Sequence, residues 1–217
     1  MIQAVVFDLD GVLVDSEHVW DAARMELAAE QGRSWPEQAS RDMMGMSSLE
    51  WSRYMHDVVG LPEPPEEISA EVVRRLEEIY RRELPLIDGA IEAVERLAER
   101  WPLGLASSSN RELIDLVLDL SGLTRCFRVT VSSEEVPRGK PAPDVYLETA
   151  RRLGVSPARC AAVEDSENGI RSAKAAGMSV FVIPNLVYPP ADDALALADD
   201  VLTSIKELTP EIIERVG

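Results

Sequence analysis

The chain has 217 residues, 46% of them hydrophobic, enough to bury a sizeable core in one large domain or in one domain with a smaller insertion. Its 39 acidic residues outnumber 22 basic ones, and the net charge of −17 makes the average surface repel nucleic acid and anionic membranes. No apolar run approaches the roughly 20 residues of a membrane span, and the start, Met1 to Asp8, lacks the basic n-region of a signal peptide. Two cysteines, Cys126 and Cys160, are too few for a disulfide framework; read as free core thiols, they point to a reducing, cytoplasmic setting.

Residues 2–7 form a short apolar run that ends abruptly in Asp8-Leu9-Asp10-Gly11, which predicts a buried strand rather than a helix. The next stretch, from about 15 to 84, contains no convincing strand. Amphipathic helices are predicted at 18–31 and 70–83, with a weaker one at 48–59 and a proline-rich loop at 60–65. From residue 86 onward the pattern alternates. Strands are expected at 103–106, 127–131, 160–163 and 179–183, with a short sixth at 200–202. Helices are expected at 90–99, 111–120, 144–153 and 169–176, the last three stopped by Gly122, Gly154 and Gly177. Residues 189–193 read as a surface loop. The alternation predicts an α/β fold: βαβ units forming a parallel sheet with helices on both faces, interrupted after the first strand by a helical insertion.

Four polar segments lie just past strand ends, the edge at which open parallel sheets bind ligands. In the first, Asp8 and Asp10 leave a buried strand two residues apart, a place where unpaired charge is costly, so a functional pair competes with an ordinary turn. In the second, Ala106-Ser107-Ser108-Ser109-Asn110, either Ser109 or Asn110 can cap the following helix. Ser107 lies too early to cap and is free to donate to an anion. The third places Lys140, one of only three lysines, in Gly139-Lys140-Pro141-Ala142-Pro143. The fourth is Glu164-Asp165-Ser166-Glu167. Ser166 as a helix cap explains its second half but not the two carboxylates straight off a strand. Asp8, Asp10, Glu164 and Asp165 converging around one lysine need a hard divalent cation, and Mg²⁺ suits an anionic phosphate substrate. His18 and His56 are 38 positions apart and build no zinc site.

These four segments, in this order, resemble the four motifs of the haloacid dehalogenase superfamily, and the helical insertion looks like its small cap of the first type. The resemblance spans nearly the whole chain. It implies a Rossmann-like catalytic core at 1–14 and 86–217 and a cap domain at 15–85. It implies that Asp8 attacks phosphorus to form an aspartyl-phosphate, and that Asp10 protonates the leaving alcohol and then activates water. Ser107 and Lys140 would hold the phosphoryl oxygens, with Ser108 and Asn110 also on the substrate side. Mg²⁺ would be held by Asp8, Asp165 and the Asp10 carbonyl, with Glu164 acting directly or through water.

An aspartate at position 10 points to phosphomonoesters, because dehalogenases and phosphonate-cleaving members lack it. The chain also resembles beta-phosphoglucomutase. However, Trp20 stands where the mutases carry a histidine, and Ser48 where they carry a cap arginine. A phosphatase for a small phosphorylated metabolite, acting as a monomer or weak homodimer, is therefore expected ahead of a phosphosugar mutase or a non-catalytic phosphate-binding module. Trp20, Met43, Met44, Met46 and Trp51 are expected mainly in the core of the cap.

Overall fold

A computed structural model of the chain describes residues 1–216. Its centre is a six-stranded sheet made of β1 (Ala4–Phe7), β2 (Leu103–Ser107), β3 (Phe127–Ser132), β4 (Cys160–Glu164), β5 (Ser179–Val182) and β6 (Asp200–Val201). The strand order is β3-β2-β1-β4-β5-β6, and every pairing is parallel. The chain builds outward from β1 in one direction and then returns to build outward in the other, so the switch point falls at β1. Side chains alternate across the strands. Val5, Phe7, Leu103, Leu105, Ala161 and Val163 enter one core. Ala4, Val6, Ala106, Cys160 and Ala162 enter the other. Both faces are buried, which is why the strands read as near-continuous apolar runs.

Four α-helices follow β1: α1 (Glu17–Glu30), α2 (Ala39–Asp42), α3 (Ser48–Tyr54) and α4 (Pro65–Arg82). A π-helical turn, Met55–Val59, extends α3 and is ended by Gly60 at φ 85°. The chain segments entering and leaving this helical unit run side by side. The Asp15 N–H donates to Pro85 O at 2.8 Å and the Ile87 N–H to Leu13 O at 3.0 Å, and Val14 bridges Leu86 antiparallel. The rest of the sheet is covered by α5 (Ala90–Ala98), α6 (Arg111–Ser121), α7 (Asp144–Leu153), α8 (Glu167–Ala175), α9 (Asp192–Leu195) and α10 (Pro210–Glu214). Helices α5 and α6 supply one core, and α7 and α8 the other.

Two differences from the sequence expectation have simple causes. Helix α4 starts at Pro65 instead of Ala70, because proline is pre-organised for a first helical turn and Glu66 and Glu67 suit its N-terminus. Helices α2, α9 and α10 have only four or five residues, too few to show a period, and α9 takes Asp192 and Asp193 out of the expected loop. Both cysteines are free, with Cys160 buried in β4. Among the described residues no helix is long and apolar enough to cross a membrane.

Candidate active site

Because β1 lies between β2 and β4, the polar residues at their C-terminal ends meet. Asp8 follows β1, Ser107 closes β2, and Glu164 closes β4 with Asp165 next. The Asp8 N–H donates to Val163 O at 3.0 Å, which locks the first carboxylate beside the fourth segment. Lys140 arrives from the loop before α7. Its Nζ donates to Glu164 Oε1 at 2.6 Å and lies 2.9 Å from Asp8 Oδ1. The same ammonium sits 5.1 Å from the centre of the Tyr146 ring. Asp8, Lys140, Glu164 and Asp165 are all buried.

Three buried carboxylates around one lysine leave an excess of negative charge. Burial pushes the Asp8 carboxyl up to about 8; Glu164 and Asp10 add to this, and Lys140 opposes it. Asp165 is raised well above the usual carboxylate range by burial, and then by Glu164 and Asp8. Burial works against the Lys140 ammonium as well, but the charges of Asp8 and Glu164 outweigh it and raise its pKa.

A divalent cation fits this site. Asp8, Glu164 and Asp165 each offer a carboxylate oxygen, and these oxygens lie within 4.8 Å of one another. Asp8 Oδ1 has its lysine ion pair but no partner in hydrogen-bond geometry. An all-oxygen donor set of this kind suits Mg²⁺ rather than a softer metal. Within the set, Glu164 is the most committed member. Its Oε1 accepts from Lys140 and from the Tyr146 hydroxyl at 2.6 Å each, and its Oε2 faces the Asp165 N–H at 3.2 Å and the Ser166 hydroxyl at 3.3 Å.

The Asp10 carboxylate is not part of that cluster. Its Oδ1 accepts from the Ser16 hydroxyl at 2.5 Å and the Trp20 indole at 3.1 Å, and its Oδ2 accepts from the Ser109 hydroxyl at 2.6 Å. Of the serine segment, Ser108 and Ser109 line the cavity above Asp8, whereas Ser107 and Asn110 do not. Ser107, expected free to donate to an anion, is fully buried, and its Oγ accepts the Ser109 N–H at 2.9 Å. Asn110, placed on the substrate side by the resemblance, is buried and turns away from this cavity. Its Nδ2 donates to Glu134 at 2.8 Å and to Ser69 of α4 at 3.4 Å. Ser166 caps α8 as expected, accepting the Gly169 N–H at 3.2 Å.

The helical unit closes the cavity from above. Glu17, Trp20 and Arg24 from α1 contribute, with Met43–Met46 and Trp51. Trp20, Met43 and Trp51 are buried, as expected of residues mainly in the core of the helical unit, and they also form part of the cavity wall. Glu17 and Arg24 were missed from sequence. The signal was their spacing with Trp20, at 17, 20 and 24, which puts all three on one helix face. Burial raises the Glu17 carboxyl to about 7 and lowers the Arg24 guanidinium to about 10. His18 pairs with exposed Asp15, and His56 hydrogen-bonds the Glu63 carbonyl, so neither enters the site.

Two glycines are set by the carboxylates beside them. Gly11 has φ +75°, and a Cβ there would lie 1.9 Å from Asp165 Oδ2. Gly169, in the first turn of α8, would place a Cβ 1.9 Å from Glu164 Oε2. Helix propensity alone predicts that Gly169→Ala stabilises by up to about 1 kcal/mol. The collision predicts the opposite sign, a loss of about 1–3 kcal/mol as the Glu164 carboxylate is displaced from Lys140. Chemical denaturation of both proteins decides the sign.

A family model described as haloacid dehalogenase-like hydrolase matches residues 2–177. Hexitol phosphatase B of Escherichia coli (strain K12) is 36% identical, across 96% of this chain and 95% of that protein. The phosphorylated carbohydrates phosphatase of Thermotoga maritima is 31% identical, across 82% of each. Among solved structures, a mutant of CbbY from Rhodobacter sphaeroides in complex with xylulose-(1,5)bisphosphate is similar, with a TM-score of 0.85, 28% identity and 96% of both chains covered. The chain belongs to the haloacid dehalogenase-like hydrolases. Its class within that family is the phosphoric monoester hydrolases.

Proposed function

We propose that the chain is a Mg²⁺-dependent phosphatase for a small sugar or polyol phosphate, working through an aspartyl-phosphate on Asp8. The observation that carries this reading is Asp8 itself. It is a buried carboxylate on the cavity wall, with a lysine on one oxygen and a second, separately held carboxylate two residues away. The relatives named above supply the substrate class.

Asp8 attacks phosphorus, which divides one hard displacement into two easier ones. Lys140 offsets charge on the phosphoryl oxygens, with Ser108 on the cavity wall beside it. Asp10, fixed by Ser16, Trp20 and Ser109, gives a proton to the leaving alcohol and then takes one from the attacking water. Asp8, Asp165 and the Asp10 carbonyl, with Glu164 behind them, would hold Mg²⁺, which when bound neutralises negative charge and polarises the phosphoryl group. Trp20 donating to Asp10, in place of a mutase histidine, supports hydrolysis over transfer to a second hydroxyl.

Residues 15–85 act in this reading as a cap over a core formed by 1–14 and 86–217. The cavity above Asp8 has a volume of about 40 Å³, room for only a few waters at about 10–15 Å³ each. A sugar phosphate enters only if the cap lifts. Opening breaks Ser108 Oγ to Gly45 O at 3.0 Å, Asn168 Nδ2 to Met44 O at 3.2 Å and Tyr188 OH to Asp21 Oδ2 at 3.0 Å. Closure then excludes water from the reacting centre.

Release of inorganic phosphate from an aryl phosphate and from a panel of sugar and polyol phosphates, with Mg²⁺ present, tests the function. No release from any of them would leave the phosphate-binding module as the better reading. Asp10→Asn should cut turnover of a polyol phosphate by about 10²–10⁴-fold, the worth of general acid–base help. The loss should be smaller for an aryl phosphate, whose leaving group needs no proton. Equal losses on the two substrates would remove Asp10 from the acid role.

A further inference from the structure

Two cations line the cavity, and they differ in how they are held. Lys140 is fixed by Asp8 and Glu164. Arg24 is not fixed by any carboxylate: it forms no ion pair or hydrogen bond among the described residues, and its Nε is buried without a partner. It is only 5% exposed. What flanks it is aromatic. The Trp20 and Trp51 rings each lie 4.7 Å from the guanidinium carbon, and the two rings meet edge to face at 5.7 Å. Ring faces stabilise a cation but supply no oxygen acceptor for a guanidinium with five N–H donors.

The charged and titratable groups around Arg24 are Glu17, Asp21, Asp10 and Tyr80. None is a dedicated counter-ion. Asp21 accepts from Tyr188, and Asp10 accepts from three donors. Glu17 is pushed up by burial to about 7, so it is only partly charged at neutral pH. A buried guanidinium without a paired anion is costly in the free protein. Arginine is also the residue suited to planar, bidentate capture of carboxylate or phosphate.

We propose that Arg24 forms a subsite for an anionic oxygen group on the substrate, a carboxylate or a second phosphate, carried by the part of the molecule that leaves with the alcohol. The subsite rests on the phosphatase reading, because it places the substrate's remainder under the cap. It makes Arg24 a specificity-determining residue of α1, with Trp20 and Trp51 holding its guanidinium in place before substrate arrives.

The test uses three matched substrates with Mg²⁺: a sugar monophosphate with an uncharged remainder, the corresponding phosphorylated sugar acid, and the bisphosphate. The wild-type protein should show a KM lower by about 10- to 100-fold for at least one doubly anionic substrate, the range for a hydrogen bond to a charged group. The two doubly anionic compounds separate carboxylate from phosphate. In Arg24→Gln and in Arg24→Met, which keeps an unbranched chain between the two rings, that KM ratio should fall towards one. Arg24→Lys should keep part of it.

No preference in the wild type, or a preference that survives both Arg24→Gln and Arg24→Met, overturns the subsite. If both variants fail to fold, the wild-type comparison alone decides. Failure of the phosphatase reading is distinct: no phosphoester, including an aryl phosphate, would be turned over. Calorimetric binding of the same three compounds to the wild type would then still report whether the second anionic group is preferred.

Discussion

Replacing Asp8 by asparagine should lower turnover by roughly 10⁴- to 10⁶-fold, the scale seen when an enzyme loses its nucleophile or a group that acts with it. The amide keeps the shape of the carboxylate but cannot attack phosphorus. The fold should survive, and the reason is electrostatic. Asp8 is one of three buried carboxylates served by one lysine, and burial already disfavours its charge. Removing that charge relieves repulsion with Glu164 and Asp165, while Lys140 keeps its 2.6 Å bond to Glu164. Asp8→Asn should therefore melt no lower than the wild type when both are free of metal. Kinetics and thermal unfolding on the same sample separate loss of chemistry from loss of structure. Near-normal activity in a pure sample would remove Asp8 from its proposed role.

Removing the metal should abolish activity, and restoring Mg²⁺ should recover it, because an anionic substrate otherwise enters a site with an excess of buried carboxylates. Stability gives a second readout. Mg²⁺ at a hundredfold over its Kd should stabilise the wild type by about 2.7 kcal/mol through mass action alone. Asp165→Asn should lose most of that gain. In the metal-free state the same variant should be no less stable than the wild type, because burial and two neighbouring carboxylates oppose the Asp165 charge. Full turnover in excess chelator, or an unchanged Mg²⁺ stabilisation in Asp165→Asn, would contradict the assignment of the cluster to a metal.

The strand ends were legible in the sequence for a physical reason. A run such as Ala4–Phe7 is buried on both faces, so a carboxylate straight after it stands out, as do Glu164 at the end of β4 and Asp165 next to it. What spacing could not supply was rotation. Spacing set Ser107 apart from the capping candidates Ser109 and Asn110, but it could not say which side chains reach the cavity. The turn into α6 aims Ser108 and Ser109 at the cavity, buries Ser107, and sends Asn110 towards Glu134.

The cavity-facing side of α1 was hidden for a different reason. An amphipathic pattern at 18–31 shows which side of α1 is covered, but not whether a neighbouring helix or a cavity covers it. Trp20 and Trp51 are consequently both core and wall, and Arg24 sits inside a face that periodicity labels apolar. Tyr146 gave no signal at all. Its hydroxyl bond to Glu164 depends on how α7 packs across β2 and β3, and it joins residues 18 positions apart.

The stereochemical course at phosphorus tests the covalent mechanism most directly. A phosphomonoester made chiral with oxygen isotopes, turned over in isotopically labelled water, reports each displacement as an inversion. Attack by Asp8 followed by attack of water is two inversions, so the account predicts net retention of configuration in the released phosphate. Net inversion would mean that water attacks the substrate directly, and it would contradict an aspartyl-phosphate on Asp8.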